Sequence, residues 1–220
     1  MRQLTKGEKP AILKEKEDEW TAAYVAAVAA KKVQKPERWR DPQIRKALGE
    51  ETSGKCAYCE ALMADVSYPH VEHLIPKKLR PELAHQWTNL TWACQVCNTE
   101  KGDFYDETDG LLNPYEDPVA SHLHFSGPYL SFYLGALRGE VTVKQLKLNR
   151  MDLVHARAER LTKVREMLER WHSATGSRRK VLAETIRLDA IDGEFTAMVQ
   201  AYITALGFPM DGEVEAAGGL

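Results

Sequence analysis

The chain has 220 residues, 44% of them hydrophobic, and a formal net charge of -2, so it can bury a core as one domain or two small ones. No apolar run is long enough to span a membrane, and the first residues lack the charged-then-apolar pattern of a signal peptide, which predicts a cytoplasmic protein. The net charge by itself neither favours nor excludes a nucleic-acid partner.

A long helix is predicted over residues 10–34. Pro10 suits its first turn, its middle is rich in Ala, Glu and Lys, and Pro36 stops it. One face carries apolar side chains at helical spacing, and this narrow stripe is expected to pack on the core rather than bind a partner. Its members are Leu13, Trp20, Tyr24 and Val28.

A second, shorter helix follows. Asp41 suits its N-cap and Pro42 its first residue, and the pattern continues to Leu48. Gly49 is expected to end it.

Four cysteines form two Cys-x-x-Cys pairs. Four thiolates so spaced can complete a tetrahedral, closed Zn²⁺ site, which supplies folding free energy and has no open ligand position. In a reducing compartment the pattern favours metal over disulfides or a thioredoxin-like redox motif. The sequence therefore predicts a structural zinc site formed by Cys56, Cys59, Cys94 and Cys97.

Residues suited to catalysis lie between the cysteine pairs and directly after them. Glu72 and His73 occupy a strand-like run that Pro76 ends, so their side chains leave on opposite sides. Asn89 follows later, and Asn98 comes directly after the last cysteine. A histidine can accept a proton from water, whereas a carboxylate and an amide oxygen suit Mg²⁺.

These residues resemble the HNH endonuclease motif, which reads acid-His-x-x-Pro, Asn-Leu, Cys-x-x-Cys with His or Asn, and Lys-Gly. In this chain the last elements are Asn89-Leu90, Cys97-Asn98 and Lys101-Gly102. The resemblance implies a ββα-metal core that grips a catalytic Mg²⁺ or Mn²⁺.

The same resemblance assigns the site residues. His73 becomes the general base, Glu72 and Asn98 ligate the metal, and Asn89 holds the loop that fixes the imidazole. The family more often has Asp and His where this chain has Glu72 and Asn98; the all-oxygen ligand set favours Mg²⁺ or Mn²⁺ over Zn²⁺ or Ni²⁺. Phosphate contacts are expected from Lys77, Lys78 and Lys101.

Beyond the last cysteine, residues 98–104 are predicted to form a helical turn, followed by an irregular acidic loop to Pro118. Three short strands are then expected around a turn at Gly127-Pro128. They cover residues 122–125, 129–134 and 141–143.

The remaining residues are predicted to be helical. Asn149 and Asp152 resemble a capping box that opens a helix to about Trp171, with further helices at 178–188 and 193–206.

Charge is unevenly distributed in this half of the chain. Residues 144–180 carry eleven Lys and Arg against four Asp and Glu, which fits a phosphate-facing surface or a solvated helix face. Arg157 is expected to pair with a buried acid or to point at the cleft.

The predicted fold class is α+β and mostly helical. A ββα-metal core, stabilised by the four-cysteine zinc site, is flanked by N- and C-terminal helices and a small β-hairpin region. The expected segments are an N-terminal helical segment (1–50), the core (51–120), a hairpin and C-terminal helical segment (121–210), and a tail (211–220).

Two flanking stretches, LTKGEKPAILKEKEDEW and LLNPYEDPVASHLHFS, resemble HNH subunits that accompany an SMC-like or ABC-type ATPase in Septu-type antiphage systems. This resemblance implies that the flanking helices dock on the ATPase and that the lone subunit is weakly active or inactive.

The predicted function is metal-dependent hydrolysis of nucleic acid, with DNA favoured over RNA. It requires Glu72 and Asn98 to lie close together and His73 to stay out of the packed interior. The main alternative is a zinc-stapled module that binds nucleic acid or protein without cutting. A homing or restriction enzyme acting alone ranks lower, because no dedicated specificity domain is recognisable.

Overall fold

The computed structural model describes residues 1–63 and 69–210. Its first helix, α1 (Ala11–Ala29), is shorter than the predicted 10–34, and Lys31 beyond it has a left-handed backbone with φ 51°. After a 3₁₀ turn at Arg38–Arg40, α2 spans Pro42–Glu51. The Asp41 side chain caps α2 as predicted, accepting from Gln43 N at 2.8 Å, but the helix continues past Gly49.

The centre of the molecule is a hairpin followed by a short helix. Strand β1 (His70–His73) pairs antiparallel with β2 (Leu90–Ala93), which places Glu72 opposite Thr91. The connection holds 3₁₀ turns at Pro81–Leu83 and Trp87–Asn89. Helix α3 (Gln95–Lys101) starts after Cys94 and packs against β1. This arrangement confirms the predicted ββα core.

A second hairpin lies between two helices. Short α4 (Val119–His122) leads into β3 (Leu123–Ser126), which pairs with β4 (Tyr129–Phe132). The predicted hairpin is confirmed, except that His122 ends α4 instead of starting the strand.

The predicted third strand at residues 141–143 is wrong, because these residues lie in α5 (Leu137–Gln145). The apolar run is short, and its burial follows helical rather than alternating spacing. The buried residues are Gly139, Thr142, Val143 and Leu146.

The chain ends in three helices, α6 (Met151–His172), α7 (Gly176–Asp192) and α8 (Thr196–Ala205). The predicted capping box is wrong, because Asn149 bonds both backbone groups of Leu130 on β4, at 2.9 and 2.8 Å. The predicted tail, residues 211–220, lies outside the described residues.

One buried cluster extends from Met1 to Phe208 and includes residues of all three predicted main segments, whose boundaries stay a prediction. Arg157 is fully buried and donates to Leu148 O at 2.7 Å. No salt bridge among the described residues joins it to an acid, and it does not line the cleft of the candidate active site. The α+β, mostly helical fold class is confirmed. Among the described helices, none has the length and apolarity needed to cross a membrane.

Candidate active site

The four cysteines form a buried cluster. Their Sγ atoms all lie within 4.8 Å of one another, and the Cys59 and Cys94 sulfurs are 3.9 Å apart. A tetrahedral Zn²⁺ site with Zn–S bonds of about 2.3 Å has sulfur–sulfur edges of about 3.8 Å. The donor set and its spacing therefore fit a structural zinc ion.

This cluster fixes the start of α3. Cys94 is the helix N-cap, and its Sγ accepts a hydrogen bond from Cys97 N at 3.4 Å. One turn later Asn98 N donates to Cys94 O at 3.0 Å. The cluster thus sets the position from which Asn98 and Lys101, both on the same face of α3, reach β1.

Glu72 and Lys101 form a buried ion pair. Lys101 Nζ lies 2.7 Å from Glu72 Oε1 and also donates to the His73 carbonyl oxygen at 2.8 Å. Burial raises the pKa of Glu72, and the charge of Lys101 opposes that shift. Lysine therefore engages Oε1 of this carboxylate.

The prediction that Lys101 contacts phosphate is corrected by this pairing. The residue is only 3% exposed, because its ammonium group neutralises Glu72 and bonds the β1 backbone. Lys77 is half-buried beside the cleft, 5.4 Å from the Trp39 ring centroid, whereas Lys78 is exposed and paired with Asp103 at 2.8 Å. Their phosphate contacts stay predictions.

Asn98 lies across from the other end of β1. Its Nδ2 donates to His70 Nδ1 over 2.8 Å. Glu72 and Asn98 line one cleft of about 340 Å³, so the structure brings the two predicted metal ligands together. Because hard cations prefer oxygen donors, the Glu72 carboxylate and the Asn98 amide oxygen fit Mg²⁺ or Mn²⁺ at this cleft.

His73 leaves β1 on the opposite side from Glu72 and is 4% exposed. Its Nε2 lies 2.9 Å from Ala84 O, and its ring packs edge-on against Trp39 with centroids 5.0 Å apart. A carbonyl can only accept, so Nε2 carries the proton and Nδ1 is the unprotonated nitrogen. Nδ1 makes no hydrogen bond to another described residue.

The requirement that His73 avoid the packed interior is only partly met. Burial, followed by the nearby charge of Lys77, lowers the pKa of His73 to about 3, so the ring is neutral at physiological pH. His73 itself does not line the cleft of Glu72 and Asn98, although Trp39, against which its ring packs, does.

Asn89 bonds the loop that follows β1. Its Oδ1 accepts from Ile75 N at 2.8 Å, and its Nδ2 donates to Ile75 O at 3.0 Å and Leu83 O at 3.2 Å. Ala84, which accepts from His73, directly follows Leu83. The role of Asn89 in fixing the imidazole of His73 stays a prediction.

Four polar residues of the cleft were not indicated by the sequence. Glu37, Arg40 and Arg45 reach it from the N-terminal segment, where Glu37 pairs with Arg40 at 2.8 Å. The fourth, His70, lies two residues before Glu72 on β1. The strand period of two could have indicated that His70 shares a face with Glu72. The arginines could not be found this way, because only the folded chain brings residues 38–45 against β1.

The HNH endonuclease family model matches residues 56–104, which contain the cysteine cluster, β1, β2 and α3. These residues form an HNH-family domain. The HNH domain places its predicted metal ligands on β1 and α3 and its histidine at the end of β1.

Two relatives extend the similarity beyond the HNH domain. A Septu protein PtuB of Bacillus thuringiensis is 36% identical over 134 residues, or 60% of this chain and 51% of that protein. A Septu protein PtuB of Bacillus mycoides strain KBAB4 is 31% identical over 154 residues, which cover 56% of this chain and 52% of that protein. This chain therefore matches about half the length of each curated relative.

Proposed function

We propose that the chain is a metal-dependent HNH endonuclease that hydrolyses phosphodiester bonds of nucleic acid, with DNA favoured over RNA as the substrate. The observation that carries this function is the hydrogen bond between His73 Nε2 and Ala84 O. This bond leaves Nδ1 of His73 as a proton acceptor, and His73 directly follows Glu72 in the chain. Glu72 and Asn98, which line one cleft, would hold the cation.

His73 acts as the general base. Its neutral imidazole accepts a proton from the attacking water through Nδ1, while the Ala84 bond keeps the ring in one tautomer. A base works best with a pKa near the working pH, and about 3 is low for this task. A bound phosphate would raise that pKa, because a nearby negative charge stabilises the imidazolium.

A divalent cation, when bound, polarises the phosphate and stabilises the departing oxygen. Glu72 would contribute one anionic oxygen to it and Asn98 one neutral oxygen, which would leave ligand positions for water and phosphate. Lys101 opposes the rise that burial causes in the pKa of Glu72 and fixes the orientation of the carboxylate.

Phosphate is held at the same cleft by Lys77 together with Arg40 and Arg45. Both arginines are exposed and line the cleft beside Glu72. Guanidinium groups match phosphate oxygens in a bidentate geometry, and such contacts position a nucleic-acid backbone without reading its sequence.

The chain works as the effector subunit of a cytoplasmic antiphage defence complex with an ATPase. Support comes from the two relatives named Septu protein PtuB and from the resemblance of both flanking stretches to such subunits. The helices around the HNH domain are then the surfaces for the ATPase.

A plasmid-nicking assay tests this function, using the zinc-loaded chain alone and co-purified with the ATPase encoded beside it. Cutting is expected with Mg²⁺ or Mn²⁺ and not with excess chelator, and His73→Ala is expected to abolish it while zinc content and DNA affinity persist. Cutting that survives His73→Ala contradicts the assigned role.

A second candidate is a binding module that does not cut. It is favoured by the burial of His73, Glu72 and Lys101, each 5% exposed or less. The module predicts that DNA or protein binding is unchanged by His73→Ala and that no metal-dependent cutting occurs in either preparation.

A further inference from the structure

We propose that His70 is a positioning residue for Asn98. Its Nδ1 accepts the amide N–H of Asn98 and so leaves the amide oxygen for the catalytic cation. This role rests on the proposed function, because it concerns the same metal site. Its basis is the 2.8 Å hydrogen bond between Asn98 Nδ2 and His70 Nδ1 at the cleft.

Two matched pairs connect β1 to α3. His70 and Glu72 alternate along the strand and share a face, while Asn98 and Lys101 lie three residues apart on the helix. His70 meets Asn98 at 2.8 Å, and Glu72 meets Lys101 at 2.7 Å. Each predicted metal ligand therefore has one terminal atom bonded to a protein partner.

An asparagine ligand has a problem that a carboxylate lacks. Its two terminal atoms are nearly equal in size, but only Oδ1 can bind a hard cation, whereas Nδ2 presents hydrogens. Rotation of the amide by half a turn would direct the wrong atom at the cation. In this hydrogen bond the amide nitrogen can only donate, so Nδ1 of His70 is the acceptor. While His70 holds that tautomer, the bond selects Nδ2 and fixes this orientation of the amide.

The same bond argues against His70 as a ligand through this nitrogen. The Nδ1 lone pair already receives the Asn98 N–H, so it is not free to bind a cation. Partners of this kind outside the ligand set orient metal ligands, and their loss typically weakens metal affinity about 10–100-fold.

Three substitutions separate this hydrogen bond from simple packing. His70→Asn keeps an acceptor, since its Oδ1 lies as many bonds from the backbone as Nδ1 does. His70→Gln carries the same amide one bond further out, and His70→Leu removes the acceptor. His155→Leu serves as the control, because His155 is an exposed histidine on α6.

The measurement is Mn²⁺ affinity by electron paramagnetic resonance, on protein whose cysteine cluster is first filled with zinc. His70→Leu and His70→Gln are expected to weaken Mn²⁺ binding about 10–100-fold, whereas His70→Asn and His155→Leu stay close to wild type. Zinc content and thermal unfolding confirm that each variant is folded.

Asn98→Asp provides the decisive background. Both terminal atoms of aspartate are oxygens, so no orientation must be selected, and His70→Leu is expected to change its Mn²⁺ affinity by less than about threefold. An equal loss in both backgrounds overturns the role. So does an imidazole-nitrogen coupling to Mn²⁺ that disappears in His70→Leu, because it would make His70 a ligand.

Glu72→Gln distinguishes the two levels of failure. If Glu72→Gln weakens Mn²⁺ binding and His70→Leu does not, the positioning role is wrong and the proposed metal site stands. If neither variant affects Mn²⁺ binding, no cation binds at this cleft, and the proposed nuclease function fails with it.

Discussion

At the scale of single residues, the site is defined by which atom of each polar group is already engaged. Ala84 O accepts from His73 Nε2, Lys101 bonds Glu72 Oε1, and His70 accepts from Asn98 Nδ2. The groups left for chemistry are Nδ1 of His73, the Glu72 carboxylate and the amide oxygen of Asn98. Such partners hold reactive groups in a usable geometry before substrate binds.

Replacing Lys101 tests the buried ion pair. Lys101→Met leaves Glu72 without its described partner, and we expect a loss of roughly 3–5 kcal/mol in the free energy of unfolding, because an unpaired buried charge is strongly unfavourable. Adding Glu72→Gln to this variant is expected to restore part of the loss. Urea unfolding of the zinc-loaded protein measures both effects.

The control for Lys101→Met is Lys78→Met. Lys78 pairs with Asp103 at the surface, where both side chains are more than half exposed, so the free energy of unfolding is expected to stay close to that of wild type. Equal losses in the two lysine variants would contradict the structural role of Lys101.

The HNH motif included Lys101 beside the three predicted site residues, but it could not show that Lys101 pairs with Glu72. A motif fixes the order of residue types along the chain, whereas the partner of a buried carboxylate depends on which helix residue faces it. Lys101 is three residues beyond Asn98 and therefore lies one turn further along β1, beside Glu72.

At the scale of elements, the cysteine cluster determines where α3 begins. The helix has only seven residues, too few to be stable by itself, and its N-cap is a cysteine of the cluster. The geometry of Asn98 and Lys101 therefore depends on the cluster being filled.

Zinc removal is expected to unfold α3. Small structural zinc sites contribute about 10 kcal/mol to folding, so amide hydrogen exchange at Asn98 and Gly102 should become at least about 100-fold faster in zinc-free protein. The Tyr133 amide, bonded to His122 O at the open end of the second hairpin, is the internal reference. Retained protection at both α3 amides would show that the helix does not need the cluster.

Helix α1 packs against the loop between β1 and β2 through His85. This residue is fully buried among the rings of Trp20, Tyr24 and Trp39, and burial lowers its pKa to about 4. Between pH 6.5 and 4 the unfolded chain binds a proton there that the folded chain does not, so stability falls as pH decreases.

His85→Phe is expected to reduce the slope with which the free energy of unfolding falls as pH decreases. For one proton the reduction is up to about 1.4 kcal/mol per pH unit. Unfolding free energies at a series of pH values measure the slope. His155→Phe, at an exposed histidine, should keep the wild-type slope, and an unchanged slope in His85→Phe would contradict the account.

The segment at 141–143 shows why elements were predicted less well than the motif. Its three residues have no decisive period, and the choice between strand and helix depends on which residues the rest of the chain covers. The hairpin of β3 and β4 was predictable because Gly127 supplies the turn, with φ 59°.

At the scale of the whole molecule, the N-terminal segment completes the cleft of the HNH domain. Trp39 packs on His73, and its neighbour Arg40 lines the cleft with Arg45 from α2. We expect Arg40→Gln and Arg45→Gln each to reduce the salt dependence of DNA binding by about one phosphate contact.

The control for the two arginine variants is Arg38→Gln. Arg38 belongs to the same 3₁₀ turn as Arg40 but does not line the cleft. The salt dependence of DNA binding by Arg38→Gln should therefore equal that of wild type. Fluorescence anisotropy over a range of salt concentrations gives the slopes. Identical slopes in all four proteins would remove the arginines from the DNA contact.

The most direct test of the account is the single-turnover cutting rate of His73→Gln on plasmid DNA, in the preparation in which the wild type cuts. The glutamine amide can still donate to Ala84 O, but it has no atom in place of Nδ1. We predict a loss of about 10²–10⁴-fold in rate with zinc content and Mn²⁺ affinity unchanged. Wild-type cutting by His73→Gln would contradict the central role of Nδ1.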